Sequence, residues 1–269
     1  MSYPVLLIAA LLTAVSFAIY LRLFRSVYTG RTGKVETEPL TWVDVVFASA
    51  LILYIAFQTF AHLESTATPS PSHFSGQQLI IATLTSWTLI LGPVLISLRA
   101  RGIRISQLFG FNRLPILRVL AWGAALLFAA LPLIFGSSEI ISQWLQNGAD
   151  REPQEIIQIF RDATHADQRI SIILLAVVIA PVAEELVFRG YLYTVLKKFF
   201  GGLPSLVFTG VLFGLVHVNV PALLPLFLLG CTFTIAYEVT GSLFVPMAMH
   251  ALFNAVNLVA VLFFPHEAG

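Results

Sequence analysis

Charged residues are scarce in this chain. Lys, Arg, Asp and Glu make up 11% of its 269 residues, whereas hydrophobic residues make up 58%, and the mean hydropathy is +0.87. A soluble domain of this size cannot bury so much apolar surface inside one core. The composition therefore predicts a protein that crosses a membrane several times.

Strong net charge and paired cysteines are also missing. The formal net charge is +1 and the pI is near 7.9, so there is no basic excess that would favour a nucleic-acid partner. The single cysteine, Cys231, excludes a disulfide framework and a cysteine metal cluster.

The first apolar run lacks a basic region before it and has basic residues after it, which is typical of a retained helix with its N-terminus outside.

Long apolar runs dominate what remains. A membrane-spanning helix needs about 20 apolar residues, and eight segments meet that requirement. We predict one all-α membrane domain over residues 1–269, a bundle of about eight transmembrane helices around a polar intramembrane cavity. The predicted segments are 3–24, 42–62, 77–98, 116–137, 170–197, 204–220, 221–240 and 242–264.

Arginine and lysine fall in alternate loops, in the ranges 22–34, 99–118 and 197–198. Such loops are cytoplasmic, so we expect both termini outside. The membrane that we expect is a bacterial plasma membrane. Residues 139–169 mix charges of both signs and fit either a helix lying in the interface or a solvated loop. Its apolar residues at helical spacing are Ile156, Ile159, Phe160 and Ala163.

The stretch APVAEELVFRGY, residues 180–191, places three ionisable groups inside an apolar run. Each costs about 2.5–3.5 kcal/mol on insertion scales, which favours a functional site over an ion pair that only joins helices. Glu185 and Arg189 have the favourable i,i+4 order for a pair. Neighbouring helical residues point about 100° apart, so Glu184 should face other helices and is the better candidate for chemistry. Pro181 predicts a kink or a fresh helix start.

Two later segments carry histidines. His217 has Phe213 one turn before it, and His250, Asn254 and Asn257 form a polar stripe on an otherwise apolar helix. Measured from the presumed cytoplasmic ends, Glu184, His217 and Asn254 all lie about 20 Å deep at the helical rise of about 1.5 Å per residue. These side chains are therefore expected to converge in the cavity.

A carboxylate, two imidazoles and a carboxamide form a set suited to hydrolysis. Glutamate and histidine can polarise a water, and a histidine and an asparagine can donate hydrogen bonds to a developing oxyanion. Peptide-bond hydrolysis is the natural reaction. The alternative is zinc held by His217, His250 and Glu184 with a water in the fourth position, although the usual HExxH spacing is missing.

The residues resemble the CPBP family of intramembrane proteases, which includes type II CAAX prenyl endopeptidases and bacterial bacteriocin-processing and self-immunity (Abi) proteins. Three motifs match in order on successive segments: EExxxR at Glu184, Glu185 and Arg189, FxxxH at Phe213 and His217, and HxxxN at His250 and Asn254. The resemblance covers residues 170–262 as a catalytic core. Residues 1–169 are the N-terminal helices and the segment 139–169.

The resemblance implies that Glu184 and His217 activate the attacking water and that His250 and Asn254 stabilise the oxyanion. The supporting residues are Glu185, Arg189 and Phe213. It implies no cofactor and no metal, with zinc as the alternative. The expected partners are the lipid bilayer and a peptide or lipidated protein substrate, not nucleic acid.

The leading hypothesis is a glutamate-type intramembrane endopeptidase that cleaves lipidated or membrane-associated proteins or peptides. Two other classes stay open from the residues alone. One is a non-catalytic membrane immunity or scaffold protein, and the other is a transporter that uses the polar cluster as a relay.

Overall fold

The computed structural model describes residues 3–29, 33–64, 75–144, 160 and 165–263. Across these residues all regular structure is helical, which confirms the predicted fold class. The helices, in chain order, are α1 (Tyr3–Tyr28), α2 (Trp42–Glu64), α3 (Gly76–Ala100), α4 (Ile105–Leu108), α5 (Ile116–Trp144), α6 (Ala166–Phe200), α7 (Gly202–Leu215), α8 (Leu223–Thr240) and α9 (Phe244–Phe263).

Within the described ranges, eight of these helices correspond to the eight predicted segments, and α4 is a single extra turn. Six are long and apolar enough to cross a membrane, with mean hydropathies from 1.6 to 2.3. α7 and α9 are apolar but contribute shorter stretches. The chain is therefore an integral membrane protein.

α7 ends earlier than predicted. The predicted segment runs to residue 220, but the helix stops at Leu215 after 14 residues, or about 21 Å, less than the roughly 30 Å of a hydrocarbon core. The chain turns because Val218 adopts a left-handed backbone conformation (φ 47°) and the Asn219 side chain accepts a hydrogen bond from the Ala222 N–H at 3.0 Å. His217 thus lies in a turn rather than inside a helix.

We predicted a kink or a fresh helix start at Pro181. α6 is continuous over 35 residues, so no separate helix begins there, but an α-helical turn does start at Ala180 after a change of helical geometry. Two wider, π-helical stretches interrupt its α-helical geometry, at Leu175–Ile179 and Leu186–Tyr193. Pro181 follows the first of them as the second residue of the α-helical turn Ala180–Glu185. A π-helical turn shifts the hydrogen-bond register by one residue, so the helix passes the missing proline N–H without a break.

α8 is the central helix of the bundle. Of the 18 residues of α8, 72% are buried inside the protein. In the most apolar 18-residue stretches of α1 and α3 only 11% are buried, because their apolar side chains face outward as lipid-facing residues do. α8 packs against α7, α5, α9 and α1. The motif-bearing helices α6, α7 and α9 all contact each other or α8, so the polar residues of four helices can meet in one interior.

The basic loops meet at one end of the bundle, as their predicted common side requires. Arg113 Nη1 donates to the Lys34 carbonyl at 2.8 Å, and Arg101 Nη1 donates to Asp44 Oδ2 at 2.8 Å. The hydrogen bond from Arg101 to the buried Asp44 also raises the pKa of the guanidinium. Residues of the first two basic loops and of the α2 N-terminus therefore share one face.

A second ionic cluster at this end fastens α6 to α8 and to the segment after α1. Glu238 is fully buried, and its Oε1 accepts hydrogen bonds from Lys197 Nζ at 2.5 Å and from Tyr193 Oη at 2.6 Å. The Val35 N–H donates to Glu238 Oε2 at 3.3 Å, and the Lys34 N–H donates to the Glu238 backbone carbonyl at 2.9 Å.

The predicted interfacial segment 139–169 lies largely outside the described residues. Its first residues belong to α5, which continues to Trp144, and its last belong to α6, which begins at Ala166. The helical or loop character of the segment between them stays a prediction.

Candidate active site

A buried ion pair forms the base of the site. Arg189 Nη1 donates to Glu185 Oε1 at 2.7 Å, as the i,i+4 spacing predicts, and both side chains are almost completely shielded, at 1% and 0% exposure. Arg189 Nη2 also donates to the Gly230 carbonyl of α8 at 3.0 Å. The pair therefore ties α6 to α8 while it compensates a charge inside the membrane.

Aromatic rings enclose the guanidinium. Arg189 Cζ lies 4.4 Å from the centre of the Phe213 ring, 5.1 Å from that of Phe233 and 5.8 Å from that of Phe188. Ring faces attract a cation more strongly when water is excluded. This explains the phenylalanine of the FxxxH motif: Phe213 is fully buried against the charge.

His250 lies between the two glutamates. Its Nδ1 is 3.0 Å from Glu185 Oε1, and its Nε2 is 3.9 Å from Glu184 Oε2. The ring stacks on Phe233, with centroids 5.1 Å apart and planes 30° from parallel. We predicted Glu185 as the partner of Arg189, and the same oxygen, Oε1, also lies within hydrogen-bond distance of His250. The two carboxylates therefore lie near opposite nitrogens of the His250 ring, and Glu185 also pairs with Arg189.

Glu184 has the most accessible carboxylate of the cluster. Its side chain is 19% exposed, whereas that of Glu185 is fully buried. Within the described part of the chain, Glu184 Oε2 and Glu185 Oε2 are both buried without a hydrogen-bond partner, but of these two side chains only that of Glu184 is partly exposed. A buried carboxylate oxygen without a protein partner is a site where a water molecule can donate a hydrogen bond.

His217 is oriented by the end of its helix. Its Nδ1 lies 2.7 Å from the Phe213 carbonyl oxygen, one of the carbonyls that a helix C-terminus leaves without an intrahelical partner. A carbonyl can only accept, so Nδ1 carries a proton, and in the neutral ring Nε2 presents its lone pair. The Phe213 ring lies 5.0 Å from His217 and 5.8 Å from His250, so one phenyl ring separates the two imidazoles.

Asn254 is anchored to α6. Its Nδ2 donates to the backbone carbonyl of Ala176 at 2.8 Å. A carboxamide nitrogen carries two hydrogens, so this bond uses one and fixes the direction of the other. Asn254 and Asn257 are half-buried and His250 is buried, consistent with a polar stripe that faces the protein.

The described residues include no group of three His, Cys, Asp or Glu side chains placed to share a metal ion. Glu184, His217 and His250 accordingly do not form a ready-made zinc ligand set.

Three contributors to the site were not found from the sequence: Gly230, Phe233 and Ala176. Gly230 matters because a Cβ atom at this position would lie 3.1 Å from Arg189 Nη2 and 3.3 Å from the Cα of Gly210. Phe233 lies three residues further, about one helical turn away, and stacks on His250. In the sequence, Gly230 and Phe233 look like ordinary core residues of α8. Their contacts with Arg189 of α6 and His250 of α9 become visible only when the helices are packed together.

The fold and this cluster define a class: a polytopic membrane protein with ionisable residues of α6, of α9 and of the turn after α7 gathered inside the bundle. Residues 166–256 match the family model described as Type II CAAX prenyl endopeptidase Rce1-like. The resemblance to the CPBP family is thus confirmed for this segment, which contains all three motifs. The N-terminal helices lie outside the match.

A curated relative supports the same assignment. Over 91 residues the chain is 33% identical to a Bacillus subtilis (strain 168) protein named "Putative membrane peptidase YdiL". The aligned part covers 32% of this chain and 36% of the relative, so it spans about a third of the relative's length. No solved structure matches the chain at a significant level.

Proposed function

We propose that this protein is an intramembrane endopeptidase in which Glu184 activates a water molecule without a metal. One observation supports this most directly: Glu184 Oε2 is buried, lacks a hydrogen-bond partner among the described residues, and lies 3.9 Å from His250 Nε2. The family match over residues 166–256 and the name of the curated relative support the peptidase class.

In the proposed reaction, Glu184 and the Nε2 lone pair of His217 accept hydrogen bonds from one water. The water oxygen attacks the carbonyl carbon of the scissile peptide bond, and Glu184 takes the proton that the water releases. The tetrahedral intermediate collapses as the C–N bond breaks. Glu184 then gives the proton to the leaving amine, which regenerates the carboxylate.

His250 and Asn254 stabilise the oxyanion of the intermediate in this proposal. His250 donates through Nε2 when both ring nitrogens are protonated, and Glu185 accepts from Nδ1 in that form. Asn254 contributes the amide hydrogen that Ala176 does not use. Arg189 balances Glu185, so the pair holds His250 in place without leaving an uncompensated charge.

The substrate is a peptide bond in a lipidated or membrane-associated protein or peptide, reached within or beside the bilayer. We place the protein in a bacterial plasma membrane with both termini outside and the basic end of the bundle in the cytoplasm. The name of the matching family supports a chain ending in a prenylated CAAX box as the first substrate to test.

The test uses purified protein in lipid nanodiscs and two quenched-fluorescent peptides with the same CAAX sequence, one farnesylated and one not. Glu184→Gln should lower the cleavage rate at least about 100-fold, the usual contribution of a general base. Glu139→Gln, the same substitution at an exposed residue of α5, is the matched control and should keep the full rate.

Cleavage by Glu184→Gln at the unaltered rate would overturn the proposed mechanism. Equal cleavage of both peptides would remove the requirement for a prenyl group, and cleavage of neither would exclude this substrate class.

A further inference from the structure

The first π-helical stretch of α6 leaves one backbone carbonyl without a backbone donor. The Ala180 N–H donates to the Leu175 carbonyl, five residues earlier. In the same register the next carbonyl, that of Ala176, would accept from residue 181. That residue is proline, which has no N–H.

The side chain of Asn254 occupies this acceptor. Its Nδ2 reaches across from α9 and donates to the Ala176 carbonyl at 2.8 Å. In a membrane interior a carbonyl without a donor is costly, so the open acceptor attracts the amide strongly. The bond also fixes the turn of α9 that carries His250, four residues before Asn254.

We propose that Pro181 is a positioning residue for Asn254. By withholding an N–H, it keeps the Ala176 carbonyl free, and this carbonyl sets the orientation of the carboxamide and of its second hydrogen. The consequence for catalysis rests on the proposed function, in which that hydrogen meets the oxyanion. The hydrogen bond between Asn254 and the Ala176 carbonyl does not depend on the proposed function.

The first test is a double-mutant cycle of thermal unfolding in detergent, which needs no substrate. In the natural background Asn254→Ala strands the Ala176 carbonyl and should lower the unfolding midpoint by roughly 3–6 °C. In a Pro181→Ala background the new N–H supplies a backbone donor to this part of α6, so Asn254→Ala should shift the midpoint by less than about 1 °C.

Pro93→Ala, at a proline inside α3, is the matched control and should leave the effect of Asn254→Ala unchanged. Pro181→Gly also restores the N–H and serves as a second variant if Pro181→Ala folds poorly. Equal shifts from Asn254→Ala in the natural, Pro181→Ala and Pro181→Gly backgrounds would overturn the proposal.

The second test measures cleavage of the farnesylated peptide. Pro181→Ala should lower kcat about 10-fold with KM unchanged, because a misplaced donor weakens only the transition state. In the Asn254→Ala background the same substitution should have no further effect. A KM effect, or an equal loss in both backgrounds, would refute the positioning role in catalysis. Failure of Glu184→Gln to affect cleavage would instead refute the proposed function, while the unfolding cycle would still decide the hydrogen bond.

Discussion

Glu185→Gln and Glu184→Gln should affect different properties of the protein. The first should lower its stability, and the second should abolish peptide cleavage with little change in stability. Glu185 and Arg189 are both shielded from solvent and lie 2.7 Å apart. Removing one charge of a buried pair costs about 3–5 kcal/mol, because the other charge stays behind without compensation. We therefore expect Glu185→Gln to lose at least about 3 kcal/mol of unfolding free energy. At about 2–4 °C per kcal/mol for a chain near this size, the midpoint should fall by roughly 10 °C.

Glu184→Gln should change stability by less than about 1 kcal/mol, since its side chain is 19% exposed and its nearest recorded charge partner is His250 at 3.9 Å. Peptide cleavage should nevertheless disappear. The assay pairs thermal unfolding in detergent with cleavage in nanodiscs for both variants. The reasoning fails if Glu184→Gln destabilises the protein as much as Glu185→Gln does.

A compensating variant separates the charge effect from shape. Glu185→Leu combined with Arg189→Leu removes both charges and should be markedly more stable than Glu185→Leu alone, since buried pairs are often replaceable by apolar residues. If the double variant is as unstable as the single one, the loss does not come from the stranded arginine.

Three further outcomes are expected. Gly230→Ala should lower stability by about 1–3 kcal/mol in thermal unfolding, because its Cβ would press on the Arg189 guanidinium and the backbone of α7; an unchanged midpoint would contradict the close approach. Glu238→Gln should destabilise the protein in the same assay, since it leaves Lys197 and Tyr193 without their buried anionic acceptor, and Glu38→Gln, at an exposed partner of Lys198, should not. Incubation with a chelator should leave peptide cleavage unchanged, and a loss that zinc restores would disprove the metal-free mechanism.

The helical bundle and part of the site follow from patterns along the chain. Apolar runs of about 20 residues and alternating basic loops predict eight helices and their common charged end, because the bilayer sets both the length and the placement of charge. The i,i+4 spacing predicts the Glu185–Arg189 pair, since a helix brings those positions together whatever surrounds them.

Irregular backbone limited the prediction elsewhere. α7 ends at Leu215 because Val218 and Asn219 form a turn that an average of hydropathy does not detect. α6 accommodates Pro181 because a π-helical stretch precedes it, whereas a regular α-helix would be disrupted by the missing N–H. In both cases the local backbone hydrogen bonds, which hydropathy does not report, decide the geometry within the apolar segment.

The sequence by itself determined which residues are ionisable inside the membrane and which pair lies on one helix face. Only the tertiary structure decided that His250 meets both Glu184 and Glu185 and that Asn254 bonds to Ala176. The physical reason is that periodicity fixes directions around one helix axis. The contacts of the site instead depend on how α6, α7, α8 and α9 pack against one another.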